Sequence, residues 1–423
     1  MTLALGVDVG TSGIRTAVID RTGTPVAMAR VIHAAQDPRK INAERWWQSV
    51  VDCLEIQMEG LRDEGCDPRD IIGISVDGTS GTMVLTDVNL KPVTRALMYN
   101  SKGFESEAAI VDRFAPAHHI TRGSSSSLAR ALRLWHEVDT SQAAHLLHQA
   151  DYILAKLTGE GGDSDVNNAL KTGVDPVTCQ WPDWIAETGI AMRLFPKARD
   201  VGTAIAPLRS SLATRLGLAP SVVVHAGTTD SIAAFLSCTN PEPGIAVTSL
   251  GTTLAVKTVS NCRVENHDLG LYSHRLGTVW LAGGASNTGG GVLRSFFTTD
   301  EITALSAQID PASPTDLDYY PLPGPGERFP INDPDLHPRL VPRPPDNVTF
   351  LQGILEGIAA IESRSYAAIR DSGGDWPTAI YTAGGGAENP AWTAIRSRLL
   401  GIPLHPARHT EAAIGAARLV FRG

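Results

Sequence analysis

What this 423-residue sequence lacks first is a basic face: 36 Lys and Arg stand against 45 Asp and Glu, a formal net charge of -9, with no long basic run. Affinity for a phosphate backbone rests on Lys and Arg clusters, so no nucleic-acid partner is expected and any phosphate must be handled locally. Cysteine is sparse. Cys53, Cys66, Cys179, Cys238 and Cys262 are widely spaced, odd in number and form no C-x-x-C, which argues against a disulfide framework or a zinc site and for free thiols. No apolar run approaches the ~20 residues of a membrane span. The chain enters a strand almost at once, without the basic segment and apolar stretch of a signal peptide, so a cytoplasmic protein with no membrane partner is expected, or a plastid one in a plant source. Also missing are a G-x-x-x-x-G-K-[ST] phosphate loop and, among the 12 histidines, any H-E-x-x-H or comparable ligand spacing.

What remains is an ordinary globular composition, 43% hydrophobic and 19% charged, with 40 glycines for special backbone positions. At roughly 100–200 residues per domain the length favours two domains. Strand-like runs alternate with helical patterns, which points to an α/β fold. The opening LALGVDVGTSGIRTAVID, residues 3–20, predicts a hairpin in which Asp8 interrupts an apolar strand just before Gly-Thr-Ser-Gly. A buried carboxylate is costly unless paired or holding a metal, so Asp8 suggests a Mg²⁺ contact. The turn of Gly10, Thr11, Ser12 and Gly13 offers N–H groups and hydroxyls to a phosphate; the alternative is a purely structural turn.

Further along, Trp46, Val50, Leu54, Met58 and Leu61 mark an amphipathic helix, and IIGISV at 71–76 a buried strand that delivers DGTSGT to its end. SVVVHAG at 221–227 predicts another strand, leading through Asp230 into a helix near Ser231; Asp230 is placed either as a base or as a plain helix cap. GIAVTSLGTTLAVKTV at 244–259 repeats the opening design, and its turn, with Gly251, Thr252 and Thr253, suggests a second phosphate cradle in a duplicated architecture. Residues 311–347, rich in proline and acidic residues, predict a long surface loop, with helix resuming at Phe350. Gly384, Gly385 and Gly386 would let a backbone approach a flat ring, with Asn389 and Trp392 at its edge or face, although a loop glycine run and a core tryptophan fit the pattern equally. Ser80 and Asn100 follow strand-like runs where polar groups could grip a polyol or simply make turns. TEAAIGAARLVF predicts a final helix capped by Thr410.

In this order GVDVGTSGIRTAVID, SSLARALRLW, QADYILAKLTG, AGTTDSIAAF, VTSLGTT, GGASNTGG, YYPLPGPGERFP, TAGGGAENPAW and TEAAIGAA resemble the FGGY family of carbohydrate kinases over nearly the whole chain. The resemblance implies two actin-like, ribonuclease-H-like domains with a nucleotide and sugar cleft between them. They would be residues 1–236, with the helix at 410–423 packing back on them, and residues 237–409. It implies ATP and Mg²⁺, with Asp230 as general base, Asp8 at the magnesium and sugar end, residues 11–13 and 251–253 at the phosphates, and Gly384 to Gly386 beside adenosine. Where bacterial xylulokinases typically carry Gln-Met-His-Gly, this chain has DGTSGT. That segment is similar to the short cyanobacterial and plant branch, first labelled xylulokinase-like, that resembles D-ribulose kinase. In that branch the residues matching Asp8, Ser80 and Asp230 contact the ketopentose, whereas Asn100-Ser101 departs from its usual Asn-Asp. The expected reaction is D-ribulose to D-ribulose 5-phosphate in a monomer or homodimer. The alternatives are a kinase for D-xylulose, L-ribulose or glycerol, and an actin-like ATP switch with no sugar acceptor.

Overall fold

All seven residues of β1 (Leu3–Val9) are buried, which explains why the run is apolar almost throughout: both faces of its sheet are covered. The computed structural model describes residues 1–422 apart from 35, 38, 124 and 125, and the last residue of the helix expected at 410–423 lies outside them. The chain divides into two units, Met1–Ser237 with Glu411–Gly423, and Cys238–Thr410.

In the first unit β1 is followed by β2 (Gly13–Asp20), β3 (Pro25–Ile32), α1 (Glu44–Asp63) and β4 (Ile71–Gly78). Then come β5 (Met83–Thr86), α2 (Glu105–Phe114), α3 (Ser127–Glu137), β6 (His145–His148), α4 (Gln149–Thr158), β7 (Asp163–Asp165), α5 (Val166–Leu170) and β8 (Lys197–Arg199). β9 (Ala204–Pro207), α6 (Ser210–Leu216), β10 (Val223–Thr229) and α7 (Asp230–Cys238) complete the run. The main sheet has the order β3-β2-β1-β4-β10-β9, with β1, β4 and β10 parallel and the rest antiparallel. The predicted apolar face of α1 is buried against it through Trp46, Val50, Leu54, Met58 and Leu61. Each such side chain contributes roughly 1.5–3 kcal/mol on burial.

The second unit repeats the plan with β11 (Ile245–Leu250), β12 (Leu254–Ser260), β13 (Tyr272–Leu276), β14 (Val279–Ser286), α8 (Gly290–Arg294), α9 (Thr299–Ser306), α10 (Asn347–Asp371), β15 (Ala379–Ala383), α11 (Pro390–Leu400) and β16 (Leu404–Pro406). Its order is β13-β14-β12-β11-β15-β16, again an antiparallel meander joined to parallel strands. The chain then returns to the first unit, where α12 (Ala412–Val420) packs Ala413, Ile414, Ala417 and Val420 on Ala4, Ala17 and Ile19. The approach is so close that a Cβ on Gly6 would lie 1.8 Å from the Ala413 carbonyl oxygen.

Three expectations change. Thr410 does not cap α12: the cap position is Glu411, and no side chain bonds the free N–H groups there. α10 starts three residues before Phe350, at Asn347, because Asp346 accepts from the N–H groups of Val348 and Thr349. The proline-rich segment is more than a surface loop, since it buries Tyr319, Tyr320, Leu322 and Phe329 in the second core.

Candidate active site

The carboxyl ends of parallel strands are where α/β sheets place their ligands, and β1, β4 and β10 carry Asp8, Asp77 and Thr228 one residue before theirs. The ladder sets Asp8 opposite Asp77 and Asp77 opposite Thr228, and Asp230 opens α7 immediately after β10. Asp8 is 6% exposed and Asp77 fully buried. The Arg15 guanidinium reaches Asp8 Oδ2 at 3.3 Å, and Arg15 also meets Glu411. The two carboxyl groups stand close enough to share a proton, and among the described residues no other donor reaches the oxygens of Asp77. Burial raises the pKa of Asp8, against the hydrogen bond with Asp77 and the charge of Arg15. It raises Asp77 well above the ordinary range, aided by the charges of Asp8 and Asp230. Asp230 is half-buried, and its Oδ1 accepts from the Ser231 N–H at 2.6 Å.

Beyond β4 the DGTSGT turn is anchored on α4. Gln149 Oε1 accepts from Thr79 N at 3.0 Å and Thr79 Oγ1 at 2.7 Å, while Thr79 and Thr82 share a hydroxyl hydrogen bond. Ser80 Oγ is buried with no hydrogen-bond partner among the described residues. Asn100 is exposed in the loop after Tyr99, and Ser101 Oγ accepts from Met98 N within it. In the opening turn Gly10 N bonds Gly13 O, and Thr11 and Ser12 lie exposed. His33 supports this turn, its Nε2–H donating to Gly10 O and Nδ1 meeting Ser49 Oγ; burial lowers its pKa and favours that neutral form.

The second unit contains a cavity of about 850 Å³. Gly251, Thr252, Gly385 and Gly386 form part of its lining, with Ile302 on α9 and Pro390 on α11 supplying apolar wall. Gly290 N bonds Gly251 O and Gly291 N bonds Thr252 O, so α8 starts directly on the 251–253 turn. Arg294 reaches back from that helix to Thr252 Oγ1 at 2.9 Å. Gly384 precedes the cavity, and exposed Thr253 closes the turn. Asn389 Oδ1 caps α11 through Trp392 N, and its Nδ2 donates to Ser306 Oγ. Trp392 is 1% exposed and forms a floor: a Cβ on Gly386 would sit 2.6 Å from its ring. Glu327, buried in the proline-rich segment, accepts from Ser286 Oγ and Asn287 N and fixes the chain entering α8.

Residues 3–237 match the N-terminal domain of the FGGY family of carbohydrate kinases, and residues 246–423 match its C-terminal domain. The chain belongs to that family. Among relatives of this kinase, the xylulose kinase of Streptomyces coelicolor is 26% identical over 98% of this chain and 86% of its own length. The ribulokinase of Staphylococcus aureus strain Newman is 25% identical over 56% of this chain and 50% of its own. A crystal structure described as a xyloylose kinase from Brucella ovis superposes with a TM-score of 0.88 at 24% identity, covering 99% of this chain and 90% of that one. Plasmodium falciparum glycerol kinase with ADP gives 0.84 at 16%, over 99% and 89%. The kinase thus has the two-domain α/β fold of its family, and no described helix is long and apolar enough to cross a membrane.

Sequence reasoning did not single out Asp77, Gln149, Arg294 or Glu327. Asp77 carried a usable signal, an apolar strand ending in a carboxylate as at Asp8. Gln149 and Glu327 carried none, because their partners are distant in sequence.

Proposed function

We propose that this kinase transfers the γ-phosphoryl group of ATP to the terminal hydroxyl of a ketopentose, D-ribulose at O5. The observation that carries this reading is the gathering of Asp8, Asp77 and Asp230 at three adjacent strand ends, near a Ser80 hydroxyl left without a protein partner. Polyols offer several donors and acceptors at once, and such a set answers them. Asp230 takes the proton as the sugar oxygen attacks phosphorus. Ser80 and Asn100 orient the sugar, and Asp8, steered by Arg15, fixes its reacting end.

Phosphoryl transfer depends on positioning and charge stabilisation, and Thr11, Ser12, Gly13, Gly251, Thr252 and Thr253 supply N–H and hydroxyl groups for it. Among the described residues no group of three or more His, Cys, Asp or Glu is arranged to hold a metal alone. Nucleotide-borne Mg²⁺ needs only one or two carboxylates, and Asp8, beside Asp77, whose oxygens no other donor among the described residues reaches, fits that requirement. When bound, the ion offsets the charge on the transferring group. The cavity bordered by Gly385, Gly386, Asn389 and the floor residue Trp392 has the size and mixed lining that suit a nucleoside, with Arg294 as a cation for its phosphates.

A D-xylulose kinase is the second reading, favoured by the name of the relatives that span nearly the whole chain. Either way Asp230→Ala is expected to lower sugar-dependent turnover by about 10³-fold or more while ADP affinity, read by calorimetry, stays close to wild type. Near-normal turnover in that variant would reject Asp230 as the base.

A further inference from the structure

Among the described residues, one buried cation of the first unit has no carboxylate partner. Arg130, on α3, is 3% exposed, and burial alone pulls its pKa down to about 10, with no acidic group acting in the other direction. Its donors go to neutral groups. Nη2 donates to Tyr99 O at 2.5 Å, Nη1 to Gly81 O at 3.4 Å and Ser127 Oγ at 3.5 Å, and Nε has no partner. The Phe104 ring lies 5.9 Å away. Burying an uncompensated charge is costly, so a guanidinium retained here must do what an apolar side chain of similar size cannot. Its planar fork can hold two carbonyl groups from separate segments at a fixed separation.

Those carbonyls are informative. Gly81 directly follows Ser80 and Tyr99 directly precedes Asn100, the two residues expected to grip the sugar. The turn itself is held independently by Gln149, and Thr82 Oγ1 accepts from Tyr99 N. Among the described residues Arg130 is the side chain that bonds both the carbonyl after Ser80 and the carbonyl before Asn100.

We infer that Arg130 is a positioning residue for the sugar acceptor: it sets the spacing between the Ser80 turn and the Asn100 loop. The inference rests on the ketopentose reading above. Loss of the strap leaves the turn seated on α4 and Tyr99 N bonded to Thr82 but frees the Tyr99 carbonyl beside Asn100, so the defect falls on sugar binding and spares the nucleotide.

The test is steady-state kinetics on Arg130→Gln, Arg130→Lys and, as a control on the same helix, Arg133→Gln, which removes a part-buried pairing with Glu107 and touches neither the Gly81 nor the Tyr99 carbonyl. D-Ribulose and D-xylulose serve as acceptors, and thermal unfolding reports the fold. Arg130→Gln is expected to raise the KM for the accepted sugar about tenfold or more, with the KM for ATP within about twofold of wild type. Arg130→Lys, which keeps the charge but lacks the fork, is expected to fall between, and it carries the test should the glutamine variant fail to fold. Arg133→Gln is expected to keep the wild-type sugar KM even where it lowers the unfolding temperature. An unchanged sugar KM in a folded Arg130 variant, or equal losses for sugar and ATP, would overturn the inference while leaving the kinase reading standing. A wild-type enzyme whose ADP release neither sugar accelerates would overturn the ketopentose reading and the inference with it.

Discussion

Asp8 shows how far a single residue can be read. A carboxylate inside an apolar strand conflicts with its surroundings, and that conflict was visible in the sequence. What resolves it was not, because Asp77 lies on another strand and meets Asp8 only through the parallel register of β1 and β4. Asp165 is a second buried carboxyl. Its Oδ1 accepts from Asn167 N and Asn168 N and its Oδ2 from Asn168 Nδ2, while Asn167 Nδ2 donates to Thr228 beneath the site. Burial first, then the charge of Asp151, pushes its pKa up to about 6 from 3.8. Between those values the folded chain binds more protons than the unfolded one. The contribution is therefore complete below the unfolded pKa and is lost as pH rises through the folded pKa. Asp165→Asn is expected to keep the helix-capping acceptor while removing this slope, worth at most about 1.4 kcal/mol per pH unit. Denaturant unfolding of both proteins between pH 4 and 6 checks it; identical pH slopes would contradict the assignment.

Elements were legible where periodicity or turn chemistry was strong. α1, both glycine-turn hairpins and the strand before Asp230 follow from apolar patterning and glycine-rich turns. Boundaries fixed by local hydrogen bonds were less legible: α10 begins at its Asp346 cap rather than at Phe350, and α12 begins without a side-chain cap. The proline-rich segment was misjudged because composition reports polarity, whereas Phe329 and Glu327 are buried by contacts with β14 and the turn after it. A buried ion pair ties four elements together. Arg396 on α11 forms two hydrogen bonds to Glu362 on α10, Arg396 Nη1 donates to Thr382 on β15, and Thr248 on β11 donates to Glu362 Oε1. Both charged side chains are fully buried, so Arg396→Met would leave Glu362 uncompensated. A loss of about 3–5 kcal/mol in unfolding free energy is expected, and a change under about 1 kcal/mol would show that the pair contributes little.

At the scale of the molecule, one sheet plan occurs twice, and the family match accounts for nearly the whole chain. The similarity of the two hairpins made the duplication readable. The return of the chain from residue 410 into α12 depends on long-range packing on β1 and β2, for which the small residues of TEAAIGAA are the local cue. The acceptor remains the central claim, and one measurement addresses it directly: coupled ADP release with ATP and Mg²⁺ across D-ribulose, D-xylulose, L-ribulose, L-arabinitol, ribitol and glycerol, with a blank lacking sugar. The account predicts a rate well above blank with D-ribulose and weaker rates with the others. Preference for D-xylulose would contradict the choice of sugar, and equal rates in every well, blank included, would contradict the assignment of a sugar acceptor to Asp230.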